Sequence, residues 1–213
     1  MKKLSTLLTL ALLLLSLTSN AQKKKKDGWI PLFDGKSLKG WKASDNPATF
    51  KVEDGKIVVD GPRAHLFYVG DVMNHDFKNF EFKAQVMTLP GANSGIYFHT
   101  AYQDTGWPAQ GYEVQVNNSH TDWRRTGSLY AIDDVREVHV PDNQWYTEHI
   151  IVQGKKVTIK INDKTVVEYT EPENVERPKD MEKRVISRGT FALQGHDPKS
   201  RIYYKDIMVK PLP

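Results

Sequence analysis

The 213-residue sequence contains no cysteine, which excludes disulfide bonds and thiolate metal sites. A lipoprotein is excluded as well, because its lipid would be attached to a cysteine at the cleavage point. Without covalent cross-links, the stability of an exported form has to come from its hydrophobic core. About 190 residues follow position 21, which is long enough for one domain of ordinary size.

Long hydrophobic runs are also missing, apart from one near the N-terminus. The leucine-rich stretch 7–17 is about 11 residues long, whereas a membrane-spanning helix needs roughly 20. Lys2 and Lys3 precede it, and a Ser-Asn-Ala cleavage motif follows at 19–21. This order predicts a secretory signal peptide over residues 1–21 rather than a membrane anchor. We therefore expect an exported protein, periplasmic or extracellular, without a membrane span.

A strong net charge is absent once the N-terminus is set aside. The formal charge of +4 falls to +2 when Lys2 and Lys3 are removed, and to −2 without the run Lys23–Lys26. The run predicts a flexible basic leader over residues 22–28, followed by a single domain over 29–213. A basic tether for nucleic acid or membrane is the alternative interpretation. Because the domain itself is slightly acidic, we expect no nucleic-acid partner.

Sustained helical periodicity and internal repeats are missing too. Instead, about ten short segments alternate apolar and polar residues, most clearly 80–87, where every second residue is apolar. Turn signals such as Asp54-Gly55 and Asn162-Asp163 separate these segments. The pattern predicts an all-β sandwich or barrel. The charged segment 171–187, which contains two prolines, is predicted to be an exposed loop.

Two adjacent predicted strands, 91–99 and 111–116, carry polar side chains among apolar ones. In the second, Glu113 and Gln115 share one face, because side chains alternate across a strand. The other face is apolar and can be buried, so the polar face is predicted to line a concave site. The long connecting loop 100–110 contains Trp107, and long aromatic loops commonly serve a site.

Five motifs in order resemble the 3-keto-disaccharide hydrolase family (domain of unknown function DUF1080) over nearly the whole mature chain. They are Leu32 to Trp41, Asn93 to Phe98, Gly111 to Gln115, Thr126 to Tyr130, and Gly189 to Gln194 followed by a terminal strand. The resemblance implies a concanavalin-like jelly-roll sandwich of two antiparallel sheets. It also implies action on 3-keto-glycosides, by hydrolysis or by elimination and hydration. Where many members have Phe-Arg, this chain has Phe98-His99, so the match defines the fold better than the substrate.

The implied reaction indicates which side chains could be catalytic. A ketone at C3 acidifies the C2 proton, so the site needs a base, a stabiliser of the enolate oxygen and an acid for the leaving oxygen. Glu113 is the leading candidate for the base or acid; a solvated glutamate is the alternative. His196, beside Asp197 in a turn, could act as base, acid or ligand, or could be an ordinary turn residue.

Other polar and aromatic residues suit sugar binding through hydroxyl contacts, ring stacking or oxyanion contacts. The predicted substrate-binding residues are Asn93, Ser94, His99, Trp107, Gln115, Arg124, Tyr130 and Gln194. His99 and His65 are weaker candidates, since either could be a hydrogen-bonded strand residue.

The cofactor and the reaction class stay open at this stage. No metal-binding motif such as HExxH is present, but Glu113 with His196 or His99 could hold a divalent metal. Conventional glycoside hydrolysis needs a second carboxylate, and Asp104, Asp122 and Asp133 are all conceivable partners for Glu113. A non-catalytic carbohydrate-binding module and a structural surface protein are the rival functions. The sequence does not indicate an oligomeric state.

Overall fold

The computed structural model describes residues 27–213, so the predicted signal peptide and the basic run of the leader lie outside the described residues. The described part is built from short β-strands with three brief 3₁₀ turns. The strands are β1 (Ile30–Pro31), β2 (Trp41–Ala43), β3 (Phe50–Glu53), β4 (Lys56–Asp60), β5 (Ala64–Tyr68), β6 (Phe80–Thr88), β7 (Ser94–Thr100), β8 (Tyr112–Val116), β9 (Tyr146–Gln153), β10 (Lys156–Ile161), β11 (Lys164–Thr170), β12 (Thr190–Gly195) and β13 (Arg201–Pro211). The 3₁₀ turns are Pro47–Thr49, Val72–His75 and Lys179–Met181. Within residues 27–213, no helix is long and apolar enough to cross a bilayer.

The strands form two sheets in which all pairings are antiparallel. The larger sheet has eight strands in the order β11-β10-β9-β6-β13-β4-β3, with β1 paired to β13. The smaller has five in the order β2-β5-β12-β7-β8. The predicted two-sheet, all-β fold is therefore confirmed.

The core lies between the sheets and is rich in aromatic rings. Every second residue of β6 is buried, as the alternation predicts. Phe80 and Phe82 of β6 meet Phe191 of β12 with ring centroids 4.9 and 4.7 Å apart. Such pairs contribute about 0.5–1.5 kcal/mol each beyond the burial of their area. Trp41 joins this core, and its indole N–H donates a hydrogen bond to the Leu32 carbonyl (2.7 Å).

The face of the smaller sheet turned away from the core, here called the site face, carries the polar residues. Cross-strand pairing places Tyr97 opposite Glu113 and Gly95 opposite Gln115. Residues directly opposite one another in an antiparallel pair share a face. Because the core face of β8 supplies the buried apolar surface, its other face can hold a carboxylate and an amide.

Two connections frame the site face. The loop 101–110 is held over it through Asp45, whose amide donates to the Asp104 carbonyl (2.9 Å) and whose carboxylate accepts from the Gly106 amide (3.1 Å). The connection 171–188 contains the segment 171–187 that was predicted to be an exposed loop, and most of its residues are exposed. Glu171 is only 6% exposed and accepts a hydrogen bond from the Ile186 amide (2.7 Å). The prediction of an exposed loop is therefore confirmed for most of the segment, and the buried Glu171 is the exception.

Candidate functional site

A cavity of about 230 Å³ opens on the site face. It is lined by strand residues of β7, β8 and β12 together with residues from the surrounding loops. The lining residues are Asn93, Tyr97, Trp107, Glu113, Gln115, Asp122, Tyr130, Arg184, Gln194 and His196. Seven of the ten residues predicted from the sequence to be catalytic or substrate-binding are therefore brought together here.

Glu113 lines the cavity and is only 4% exposed. Its Oε1 accepts a hydrogen bond from Gln194 Nε2 (2.7 Å), and its Oε2 lies 3.8 Å from Arg184 Nη2. Burial raises the pKa of Glu113, whereas Arg184 and the hydrogen bonds from Tyr97 and Gln194 oppose that rise. A carboxylate with a raised pKa is a better base than an exposed one, because proton affinity and basicity increase together.

Gly95 makes room for the Glu113 carboxylate. A Cβ added at Gly95 would lie 2.9 Å from Glu113 Cγ and 3.0 Å from its Cδ, and would also collide with Oε1. Atoms of that kind cannot approach so closely without displacement. The absent side chain at position 95 therefore allows the carboxylate to lie against β7.

Two glutamines line the cavity with unused acceptors. Gln194 donates to Glu113 and to the Tyr97 hydroxyl (3.1 Å), while Gln115 donates to Asn93 Oδ1 (3.1 Å). The Oε1 atoms of both glutamines are buried without a hydrogen-bond partner among the described residues. Buried acceptors of this kind need donors, and the hydroxyl groups of a sugar would supply them.

His196 lines the cavity and belongs to a hydrogen-bonded group. Its Nδ1 lies 2.7 Å from Asp197 Oδ2, and Asp197 also accepts from the Ser200 hydroxyl (2.9 Å) and the Lys199 amide (2.8 Å). The hydrogen bonds from His196 and these neighbours lower the pKa of Asp197 against the opposing effect of its burial. The Asp197 carboxylate fixes the orientation of the His196 ring, because a hydrogen bond at one ring nitrogen sets the role of the other.

Two large aromatic side chains, Trp107 and Tyr130, line the cavity. Trp107 is 45% exposed, and its ring centroid lies 5.6 Å from that of His196. Tyr130 lies beneath two cations, with Arg124 and Arg184 4.7 and 5.4 Å from its ring centroid. An exposed tryptophan beside polar groups is suited to stacking on a pyranose ring.

Comparison with known proteins assigns this chain to a family. The family model described as the 3-keto-alpha-glucoside-1,2-lyase-like domain matches residues 28–210. The chain belongs to this family. A relative named 3-keto-disaccharide hydrolase, from Bacteroides thetaiotaomicron, is 31% identical, over 67% of this chain and 59% of the relative. The chain thus spans less than two thirds of that relative's length.

Solved structures confirm the jelly-roll sandwich. A candidate glycosyl hydrolase from Parabacteroides distasonis superposes with a TM-score of 0.73 at 24% identity, over 87% of this chain and 94% of that one. A carbohydrate-binding module, CBM66 from Bacillus subtilis, superposes with a TM-score of 0.57 at 12% identity, over 80% and 95%. At these identities the likeness shows the fold alone, and the fold is shared by proteins with different functions.

Three predicted substrate-binding residues of this family member lie outside the cavity lining. Ser94 pairs opposite Val116 and faces the core, where its hydroxyl donates to the Gln194 carbonyl (2.5 Å) and contacts the Tyr204 hydroxyl (2.8 Å). Counting from Gly95 fixes the parity of β7, and Ser94 falls on the opposite face. Arg124 pairs with Asp134 (Nε to Oδ2, 3.0 Å) and supports Tyr130 from outside the cavity.

His99 is turned away from the cavity by an irregularity in β7. Simple alternation would place it beside Tyr97, but its φ of +55° and the shifted pairing between β7 and β12 rotate it. Its Nε2 lies 2.9 Å from the Lys78 carbonyl, and its Nδ1 accepts from the Ser187 amide (3.2 Å). Burial lowers the pKa of His99 to about 4, so it is a neutral structural residue. The sequence carried no signal for this bulge.

The sequence interpretation missed two lining residues, Tyr97 and Arg184. Tyr97 could have been found by extending the face of Glu113 to the neighbouring strand, since the two residues are directly opposite. Arg184 lies on the charged segment 171–188, where nothing distinguishes it from its exposed neighbours. His65, the weaker histidine candidate, is fully buried on the site face, with its ring centroid 5.4 Å from that of Trp107. Burial lowers the pKa of His65 to about 4.

The structure also shows where the two predicted metal-binding residue pairs lie. Within residues 27–213, no three histidine or carboxylate side chains are grouped so as to hold a metal ion. Of the two pairs considered, Glu113 and His196 share the cavity, whereas His99 faces elsewhere. A metal bound by Glu113 and His196 stays a prediction.

Proposed function

We propose that this protein is an exported enzyme that cleaves 3-keto-glycosides, with Glu113 as the base at C2 and His196 as the acid for the leaving oxygen. The observation that supports this best is the buried Glu113 carboxylate with its raised pKa in a cavity with sugar-binding groups. Base strength and access to a ligand are the two properties that proton abstraction next to a ketone requires.

The cavity favours this chemistry over conventional glycoside hydrolysis. That reaction needs two carboxyl groups acting on opposite sides of the glycosidic bond. Asp122 is the other carboxylate that lines the cavity, but it accepts from the Arg124 amide (2.9 Å) and pairs with the Arg124 guanidinium (3.7 Å). The two carboxylates have similar partners but differ in burial, because the Asp122 side chain is 21% exposed and that of Glu113 only 5%. Among the lining residues, Glu113 is therefore the more strongly desolvated carboxylate and the better base.

The reaction is balanced in two steps. Glu113 removes the C2 proton, and the C2–H electrons form an enolate with the C3 carbonyl. The enolate then forms a C1–C2 double bond and restores the ketone as the C1–O bond breaks, and His196 protonates the departing oxygen. Exchange with water returns a proton to His196 and removes one from Glu113. Addition of water across the new double bond gives net hydrolysis; release of the enone gives a lyase.

The test compares 3-keto-glucosides with their unoxidised counterparts. Purified mature protein should release the aglycone from the 3-keto-glucoside only, and Glu113→Gln should reduce the rate about 10²–10⁴-fold, the usual contribution of a general base. The matched control is Glu148→Gln, a buried glutamate of the core, which should retain the wild-type rate. A parallel assay with chelator shows whether a metal takes part.

Two results would contradict the proposal. Equal cleavage of oxidised and unoxidised glucosides would indicate conventional glycoside hydrolysis. Measurable glycan binding without turnover in the wild-type protein, with binding retained in Glu113→Gln, would indicate a carbohydrate-binding module.

A further inference from the structure

Arg184 is the cation nearest to the proposed base. Its Nη2 lies 3.8 Å from Glu113 Oε2, its Nη1 donates to the Tyr130 carbonyl (3.3 Å), and its side chain is 17% exposed. A guanidinium has five N–H donors and stays charged at every working pH. Among the described residues, its contacts use only part of that capacity, so the group retains donors for a ligand in the cavity that it lines.

The segment that carries Arg184 is fixed to the strand that carries Glu113. The Tyr112 hydroxyl donates to Glu171 Oε2 (2.5 Å) and accepts from Arg177 Nη2 (2.9 Å). Arg177 Nε in turn donates to the Arg184 carbonyl (2.9 Å). Because Tyr112 directly precedes Glu113 in β8, this network sets the position of the guanidinium relative to the carboxylate.

This arrangement matches the needs of an enolate. The proton removed from C2 and the oxygen on C3 are near neighbours in the sugar, so base and cation must also be close together. Preorganised donors aimed at developing charge are commonly the largest single contribution to catalysis. His196 is bonded to Asp197 and suits the leaving oxygen, which leaves Arg184 for the C3 oxygen.

We infer that Arg184 is a further catalytic residue, which binds the C3 oxygen of the substrate and stabilises the enolate formed when Glu113 removes the C2 proton. The inference rests on the proposed function and adds the group that accepts the negative charge. Electrons move from the C2–H bond into the C2–C3 bond, and the carbonyl pair moves to the oxygen held by Arg184. Arg177 is a positioning residue, since it acts through the Arg184 carbonyl.

The test uses a substrate analogue that cannot be cleaved, 1,5-anhydro-3-keto-glucitol, because it lacks a C1 leaving group. Exchange of its C2 hydrogen with deuterated water, followed by NMR, reports enolate formation alone. We expect exchange with the wild-type protein and a loss of about 10²–10³-fold in Arg184→Met, the usual effect of removing one oxyanion donor. Arg177→Met should give a smaller loss.

The matched control is Arg188→Met, an exposed arginine of the same segment that pairs with Asp76 (2.8 Å), and it should exchange at the wild-type rate. If Arg184→Met fails to fold, Arg184→Ala supplies the second test, and added guanidinium should restore part of its exchange. Arg184 has two effects on the rate, stabilisation of the enolate and a lowering of the Glu113 pKa. Its removal should therefore also move the acid limb of the pH profile to higher pH. The rate loss that comes from the enolate persists at pH values above that limb.

The outcomes separate the inference from the proposed function. On the plateau above the acid limb, the exchange rates of wild type and Arg184→Met could agree within about threefold, which lies well below the 10²-fold effect of an oxyanion donor. If Glu113→Gln loses exchange at the same time, this result would overturn the role of Arg184 and leave the proposed function standing. Wild-type protein that neither exchanges the analogue nor cleaves 3-keto-glucosides would overturn both.

Discussion

Two buried glutamates, one in each sheet of the sandwich, share a raised pKa but differ in their surroundings. Glu113 and Glu148 are 4% and 0% exposed, and burial raises the pKa of both carboxyl groups. Glu113 has a hydrogen bond, a nearby guanidinium and a cavity beside it. Glu148, on β9 between Ala84 and Ile161, faces the core, and neither of its oxygens has a hydrogen-bond partner among the described residues.

The difference shows that a raised pKa does not by itself mark a site. Desolvation disfavours the charged form of any buried carboxyl group, whatever the group does. Partners that orient the group, together with space for a ligand, distinguish Glu113. Glu148 lies in the core without hydrogen-bond partners among the described residues, and its cost should appear in the stability of the fold rather than in turnover.

The largest expected effect is on the pH dependence of kcat/KM, which should depend on Glu113 and not on Glu148. If Glu113 is the base, kcat/KM should fall about tenfold per pH unit below its pKa, because only the carboxylate accepts a proton. Since burial raises that pKa, the acid limb should lie above the range of an exposed glutamate. Rates of 3-keto-glucoside cleavage from pH 4 to about 8 check this. Glu148→Gln should leave the limb unchanged; movement of the limb in that variant would contradict the assignment.

A smaller effect is expected from Gly95→Ala, which tests whether the space beside Glu113 matters. The added methyl group collides with the carboxylate, and a displacement of about 1 Å in an active site can lower the rate roughly 10²-fold. The measurement is kcat on the 3-keto-glucoside, with thermal unfolding to verify the fold. Unchanged kcat in a folded variant would mean that the carboxylate position is not set by Gly95.

Glu148→Leu should raise stability near neutral pH. Removing a buried polar group without partners relieves a desolvation cost of about 1–3 kcal/mol. The folded-state pKa of Glu148 lies well above the unfolded one, so its contribution to stability is fully present below the unfolded pKa and is lost as pH rises through the folded pKa. Denaturant unfolding of both proteins at pH 4.5 and 8 should therefore show a gain that is larger at about pH 8. A loss of stability at both pH values would indicate that Glu148 has a structural partner.

The smallest effect is expected from Ser94→Ala, on the core side of β7. The variant loses the bonds to the Gln194 carbonyl and the Tyr204 hydroxyl, which should lower the free energy of unfolding by about 1 kcal/mol. KM should stay unchanged, since Ser94 does not line the cavity. Gln115→Ala, on the site face, is the matched variant and should raise KM. A raised KM in Ser94→Ala would place that hydroxyl in contact with substrate.

Much of the fold was predictable because strands have a period of two. The alternation in 80–87 gave the buried face of β6, and the same rule placed Glu113 and Gln115 on one face of β8. Parity within one strand is a local property, and it needs no knowledge of the partner strand. The rule failed at His99, because its own positive φ turns its side chain away from the face that alternation predicts.

The pairing of distant segments was not predictable. Arg184 is held at the cavity by contacts between distant segments, since Tyr112 bonds to Glu171 and Arg177 bonds to both Tyr112 and the Arg184 carbonyl. In the sequence, Arg184 and the exposed Arg188 lie four positions apart in one charged segment and look alike. Their surroundings differ because only the folded protein has buried polar groups that need partners, and these groups lie near Arg184 and not near Arg188.

The sequence by itself determined the sheet-forming segments and the face of β8 that carries Glu113, because alternation and turn chemistry act over a few residues. Only the tertiary structure decided which face of β7 meets the cavity, which glutamate has partners, and which arginine stands beside Glu113. Those outcomes depend on strand register and on contacts between segments far apart in the chain. Burial and electrostatic environment arise from those contacts, so the chemistry of the site is decided at that level.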